Sequence, residues 1–180
     1  MKLRKGSQDA TGLTFGIVAS KFNKFVTSRL LTECVKALTK AGVTDEAIEV
    51  VRVPGAFEIP LVARQLARSG RFDAVICLGA VIRGDTPHFE YISTEVSRGI
   101  LQASMDSNIP VIFGVLTTDT VAQAIERADP EKLNRGADVA KTAIEMVNVM
   151  RLLKKEGSGE APQPATPSRR AGRSAARPKR

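Results

Sequence analysis

Six consecutive residues, Arg83-Gly84-Asp85-Thr86-Pro87-His88, bring together a glycine, a hydroxyl, a proline suited to a helix start and the only histidine in the chain. Backbone N–H groups and a threonine hydroxyl at the start of a helix make an anion site. A neutral imidazole beside it can donate or accept protons near neutral pH. Two readings stand together: a phosphate turn with a proton-transfer residue, or an ordinary strand-to-helix turn. In the second, Thr86 caps the helix, Gly84 supplies an unusual backbone angle and His88 is merely exposed. Asp85 complicates the first, since its carboxylate must point away from a phosphate.

Pro54-Gly55-Ala56-Phe57-Glu58 is a second candidate. Its backbone amides at Gly55 and Ala56, with the Glu58 carboxylate, can bind a hydroxylated ligand; alternatively it is a helix start with an acidic residue favourable in the first turn. Phe22 can stack on a flat heterocycle or belong to the core. Arg127 can pair with phosphate or place a positive charge at a helix C-terminus.

The elements that would position these residues are legible from hydrophobic period. Leu13–Ala19, Ile48–Val53, Ala74–Ile82 and Pro110–Leu116 are apolar or β-branched runs that read as strands. Between and after them, helical spacing appears over Phe25–Ala41 (Val26, Leu30, Cys34, Leu38), from Ile59 to near Gly70, and over Phe89–Met105. It appears again from the Thr117–Thr120 caps to Arg127, and over Gly136–Leu153. Strands alternating with helices imply right-handed crossovers, a four-stranded parallel sheet and an α/β fold, a three-layer α/β/α sandwich. Ligands in such folds bind beyond the carboxyl ends of the strands, where all of the loops above lie.

Composition narrows the classes. With 180 residues and 43% apolar content, one domain is expected. Cys34 and Cys77 are far apart, sit in apolar stretches and match no zinc spacing, so they read as buried thiols in a reducing compartment. One histidine and two lone cysteines supply few soft ligands, so no metal is expected. Neither G-x-x-x-x-G-K-[ST] nor G-x-G-x-x-G occurs, which argues against triphosphate and dinucleotide sites. No signal-peptide core or long apolar run appears, so a cytoplasmic protein without membrane association is expected.

The net charge of +8 is concentrated at the C-terminus: from Gly157 onward six Lys and Arg residues face only Glu160. That tail has no aromatic residue and no aliphatic one larger than Ala, so disorder is expected. Nucleic-acid contact through it is one reading, and a solvated extension is the other.

Taken together, Ser20-Lys21-Phe22-Asn23, Val53 through Pro60, Gly79 through His88, Phe113 through Thr117 and Gln123 through Ala128 resemble lumazine synthase, in collinear order over Leu13 to Leu153. The resemblance implies a flavodoxin-like fold and the penultimate step of riboflavin biosynthesis. There 5-amino-6-(D-ribitylamino)uracil condenses with 3,4-dihydroxy-2-butanone 4-phosphate to 6,7-dimethyl-8-ribityllumazine, phosphate and water, with no cofactor. It divides the chain into an extension (1–12), a catalytic domain (13–155) and the basic tail (156–180).

Carried over residue by residue, the resemblance assigns Phe22 to stack on the pyrimidinedione, and Ala56, Phe57 and Glu58 to hold the ribityl chain and amine. The backbone of Ala80, Val81 and Ile82 would meet the ring edge. Gly84, Asp85, Thr86 and Arg127 would bind phosphate, and His88 would transfer protons. Phe113 would close the site from a neighbouring subunit, which makes a homopentamer the functional unit. Asn23 and Asp138, the latter as an acidic partner for His88, are supporting candidates. So is Arg135, which stands where the family often has lysine. Asp129-Pro130-Glu131-Lys132-Leu133 replaces the turn associated with sixty-subunit shells without lengthening it, and an icosahedral shell is the assembly expected. An association with riboflavin synthase is a further expected partner. The competing reading is a non-catalytic shell protein that binds lumazine or flavin.

Overall fold

Four apolar runs form β1 (Phe15–Ser20), β2 (Ile48–Val53), β3 (Ala74–Ile82) and β4 (Val111–Thr118) in the computed structural model, which describes residues 1–157. The helices are α1 (Lys24–Lys40), α2 (Ile59–Arg68), α3 (His88–Ser107), α4 (Val121–Ala128) and α5 (Arg135–Gly157). The strands pair in the order β2-β1-β3-β4, every pair parallel. This is the α/β architecture that the alternating periods imply, with the strand order of the flavodoxin-like class.

Alternation along the strands assigns the helices to two layers. Phe15, Ile17 and Ala19 of β1, with Ala74, Ile76 and Leu78 of β3, pack in one core with Leu30 and Cys34 of α1, Ala124 of α4 and Ile144 of α5. The intervening residues Val18, Val75 and Cys77 turn to the opposite face, against Ile59 and Ala63 of α2 and Val96 and Ile100 of α3. A strand covered on both sides has no polar face, and β1 is buried at all six positions. Both cysteines lie in these cores, and burial pushes the Cys34 thiol up to about 12. Such a thiol stays protonated at neutral pH and serves as a small apolar side chain.

Helix ends follow local chemistry. Of the four candidate caps at the start of α4, Thr117 and Thr118 complete β4, while Thr120 accepts the Gln123 N–H at 3.2 Å. The N-terminal residues expected as an extension are partly packed. Ala10 is buried, and the Asn148 amide of α5 donates to the carbonyls of Ser7 and Asp9 at 3.1 and 2.9 Å. No described helix is long and apolar enough to cross a membrane. Helix α5 continues through Gly157, and the expectation of a disordered tail lies, from residue 158 on, outside the described residues.

Candidate active site

A cleft of about 680 Å³ opens at the carboxyl ends of β1, β2 and β3, where the strand order reverses. It is lined by Phe22 and Asn23 after β1, by Gly55, Ala56, Phe57 and Glu58 after β2, and by Ala80, Val81, Ile82, Gly84, Thr86 and His88 at the end of β3 and the start of α3. Phe89 and Ile92, on the first turns of α3, complete the wall. Three loops far apart in sequence meet here because β2 and β3 both pair with β1.

Register explains why main-chain groups are open at this point. Strand β3 pairs with β1 only as far as Leu78, but with β4 as far as Ile82. Residues Gly79 to Ile82 therefore lack a strand on the β1 side. Main-chain groups of alternate residues face the same neighbour, and the Arg83 N–H goes to Thr118 on β4 at 2.9 Å. Val81 accordingly faces β4, while Ala80 and Ile82 face the open side. Of the three residues expected to offer backbone groups, two are placed to do so.

Asn23 partly fills the gap. Its Nδ2 donates to the Ala80 carbonyl at 2.9 Å, and its backbone is left-handed at φ 53°. Asparagine tolerates that conformation better than most residues, and here its side chain also joins the β1 loop to β3. Replacing Asn23 by Gly keeps the conformation and removes only the bond. The expected cost is about 1 kcal/mol of stability in chemical denaturation, with a higher KM for whichever substrate meets the Ala80–Ile82 edge. An unchanged midpoint and KM would show that the bond contributes nothing.

The Phe22 ring stands at the mouth, 69% exposed, while its N–H is held by the Pro54 carbonyl at 3.0 Å. Phe57 is 57% exposed on the adjacent loop. Two outward-facing rings on a tied backbone form a platform for a flat partner. Glu58 departs from the expectation of a free carboxylate beside free amides: its Oε2 accepts the Gly55 N–H at 2.9 Å, so those two groups satisfy one another. The remaining carboxylate oxygen carries the capacity for a ligand hydroxyl.

The turn after β3 also differs from its bland reading. The residue capping α3 is Pro87, without a side-chain bond, so Thr86 does not cap the helix. Gly84 is not among the residues with positive φ, and a Cβ there would meet nothing within 4 Å. Neither residue is explained by backbone geometry. Thr86 and His88 are exposed, line the cleft and sit at the N-terminal end of a 20-residue helix, where anions are favoured. Asp85 is exposed but does not line the cleft.

Four expected residues lie away from this cleft within one chain. Arg127 is in the last turn of α4, in the layer opposite α3, and its Nη1 donates to the Gln123 carbonyl of its own helix at 3.2 Å. Arg135 and Asp138, on the first turn of α5, pair with one another at 3.2 Å; Asp138 thus has Arg135, not His88, as its partner in the chain. Phe113 of β4 is 43% exposed although it follows buried Ile112. Among the described residues no group of His, Cys, Asp and Glu side chains is arranged to hold a metal ion.

Phe89 and Ile92 were not among the sequence candidates. Their signal was present: they lie one and four places after His88, on the helix face that a cleft beside His88 must use. Arg83 was noted only as the start of the turn. Its guanidinium lies over the Phe89 ring at 4.2 Å from the centroid and pairs with both Asp119 and Glu90.

A family model described as 6,7-dimethyl-8-ribityllumazine synthase matches residues 12–151. A relative from Syntrophus aciditrophicus (strain SB), described by the same words, is 60% identical over 147 residues, spanning 82% of this chain and 96% of the relative.

Proposed function

Since the chain belongs to the 6,7-dimethyl-8-ribityllumazine synthase family, we propose how its cleft performs the reaction of that family. The chain is an enzyme of riboflavin biosynthesis, condensing 5-amino-6-(D-ribitylamino)uracil with 3,4-dihydroxy-2-butanone 4-phosphate to 6,7-dimethyl-8-ribityllumazine, phosphate and water. The nucleophile is the substrate's own amine, so the protein supplies positioning, proton transfer and anion binding.

Phe22 stacks on the pyrimidinedione, whose polar edge meets the open main-chain groups of Ala80 and Ile82, while Glu58 holds the ribityl hydroxyls. The phosphate rests on Gly84 and Thr86 at the start of α3. His88, one helical step further on, moves the protons of imine formation and phosphate departure. The observation that carries this reading is one cleft lined together by Phe22, Glu58, Ala80, Ile82, Thr86 and His88, which come from three strand ends far apart in sequence.

The cleft of one chain has no cationic side chain in its lining, although it must hold a phosphate. Arg127, Arg135 and Phe113 supply what is missing when a second copy places them at its mouth, which favours a homopentamer and agrees with the exposure of Phe113. The shell, the contact with riboflavin synthase and the cytoplasmic location belong to this same reading. So does the pairing of Arg135 with Asp138, which keeps both side chains together at such an interface.

The test mixes the purified full chain with both substrates. Fluorescent lumazine and inorganic phosphate are expected to appear together, faster than in the uncatalysed mixture. Tight binding of lumazine without any acceleration would instead identify a carrier.

A further inference from the structure

We propose that Arg83 is a positioning residue of this active site, one that fixes the phosphate turn and the first turn of α3 without touching substrate; this rests on the reading above. Arg83 is the first residue beyond β3, and its N–H donates to the Thr118 carbonyl at 2.9 Å, which joins its main chain to the end of β4. From there the guanidinium makes three further contacts. Nε donates to Asp119 Oδ1 at 2.8 Å, Nη1 makes a short bond to Glu90 Oε1, and the flat face covers the Phe89 ring at 4.2 Å.

The result is a closed ring. Glu90 lies in the first turn of α3, so the bond from Arg83 to Glu90 spans the segment from Gly84 to Phe89 and ties its two ends together. Among the described residues, the side chains of Asp85, Thr86 and His88 make no hydrogen bond or ion pair of their own. Their placement depends on what holds the ends of the turn. Phe89 is itself a wall of the cleft, and Arg83 lies over that ring. The second carboxylate extends the link to α4, because the Asp119 N–H donates to the Gln123 side chain at 2.9 Å.

A guanidinium suits this task because it offers separate N–H groups in a rigid plane to two carboxylates and stacks at the same time. An ammonium is a point charge and cannot do all three. The charge of Arg83 is committed to Glu90 and Asp119, which distinguishes it from a phosphate ligand. The hydrogen bond from Arg83 holds the Glu90 carboxyl below the usual carboxylate range, so the pair is intact at neutral pH and is released only as pH falls through that lowered value. All three side chains are substantially exposed, so the ion pairs add little to global stability, and the consequence of losing them falls on local geometry.

The experiment measures steady-state lumazine formation and thermal denaturation for the full chain and for Arg83→Ala, Arg83→Lys, Glu90→Gln and Asp119→Asn. Arg83→Ala is expected to raise the KM of the phosphate-bearing ketone and lower kcat, each by about 10-fold, as misplaced groups do. The KM of the pyrimidinedione, held by Phe22, by Glu58 and by the β3 edge ahead of the turn, and the melting temperature should scarcely change. Arg83→Lys should recover part of the loss, and each carboxylate variant should reproduce part of it. If neutralising Glu90 or Asp119 instead lowers the KM of the ketone, Arg83 is a phosphate ligand freed by the change, and the proposal is overturned. Equal losses for both substrates with a matching fall in melting temperature would reduce Arg83 to a structural residue and overturn it as well. An inactive wild-type chain sinks the functional reading and the proposal with it, whereas an active wild type with an unaffected Arg83→Ala sinks the proposal alone.

Discussion

His88→Ala is expected to lower kcat for lumazine formation by about 10²-fold, with the KM of each substrate staying within about twofold of wild type. The imidazole lines the cleft at the first position of α3 and is exposed, so its removal neither opens a cavity in the core nor frees a partner. In the proposed reaction it removes the proton carrier beside the departing phosphate. General acid–base groups contribute roughly 10²–10⁴-fold, and the lower end applies because water reaches this open site and substitutes in part. Single-turnover fluorescence on saturating substrates separates chemistry from product release. Should kcat stay at its wild-type value there, protons are moved by another group, with phosphate itself the next candidate.

A large structural effect is expected at Gly136. A Cβ there would sit 2.5 Å from the Leu30 carbonyl oxygen and 3.1 Å from the Leu30 Cα, both backbone atoms of α1. A helix backbone cannot withdraw as a flexible side chain does, so α5 must move away from α1. Overpacking of this kind costs about 1–3 kcal/mol, and Gly136→Ala belongs near the top of that range. For a domain of this size the melting temperature should fall by about 5–10 °C. Gly84→Ala is the control for stability, since its Cβ would meet nothing within 4 Å and its φ is not positive, so its melting temperature should not change. Equal behaviour of the two variants in a thermal scan would refute the close-approach account. Because Gly136 lies beside Arg135 and two residues before Asp138, the same displacement should weaken any assembly in which those side chains meet a second copy.

Much of the fold was readable in the sequence because it depends on local pattern. Continuous runs such as Ala74–Ile82 demand burial on both faces, and alternation of such runs with amphipathic helices leaves a covered parallel sheet as the natural solution. The cap at Thr120 needed the structure to separate it from Thr117 and Thr118, since all three are equally good candidates until the end of β4 is known. The loop residues were legible for a different reason: Glu58, Thr86 and His88 are of types that do little for a core, and each of them, like Phe22, follows a strand.

Pairing was not legible. Hydrogen bonds between side chains and distant backbone depend on three-dimensional proximity, so neither Asn23 on the Ala80 carbonyl nor Arg83 between Asp119 and Glu90 follows from spacing along the chain. The capture of the Gly55 amide by Glu58 is local, yet sequence alone left the carboxylate and the amides as separate assets. Placement in layers was equally hidden. Arg127 and His88 look like neighbours in a list of candidates, but α4 and α3 lie on opposite faces of the sheet.

By itself, then, the sequence determined which residues have chemistry to offer and that they sit at strand ends, because residue type and hydrophobic period are properties of short segments. The tertiary structure decided which of them share a cleft, which main-chain groups are left open and which charges are already committed. Those depend on strand order, on register and on β3 outrunning β1 by four residues, from Gly79 to Ile82, and such relations exist only once distant segments pack together.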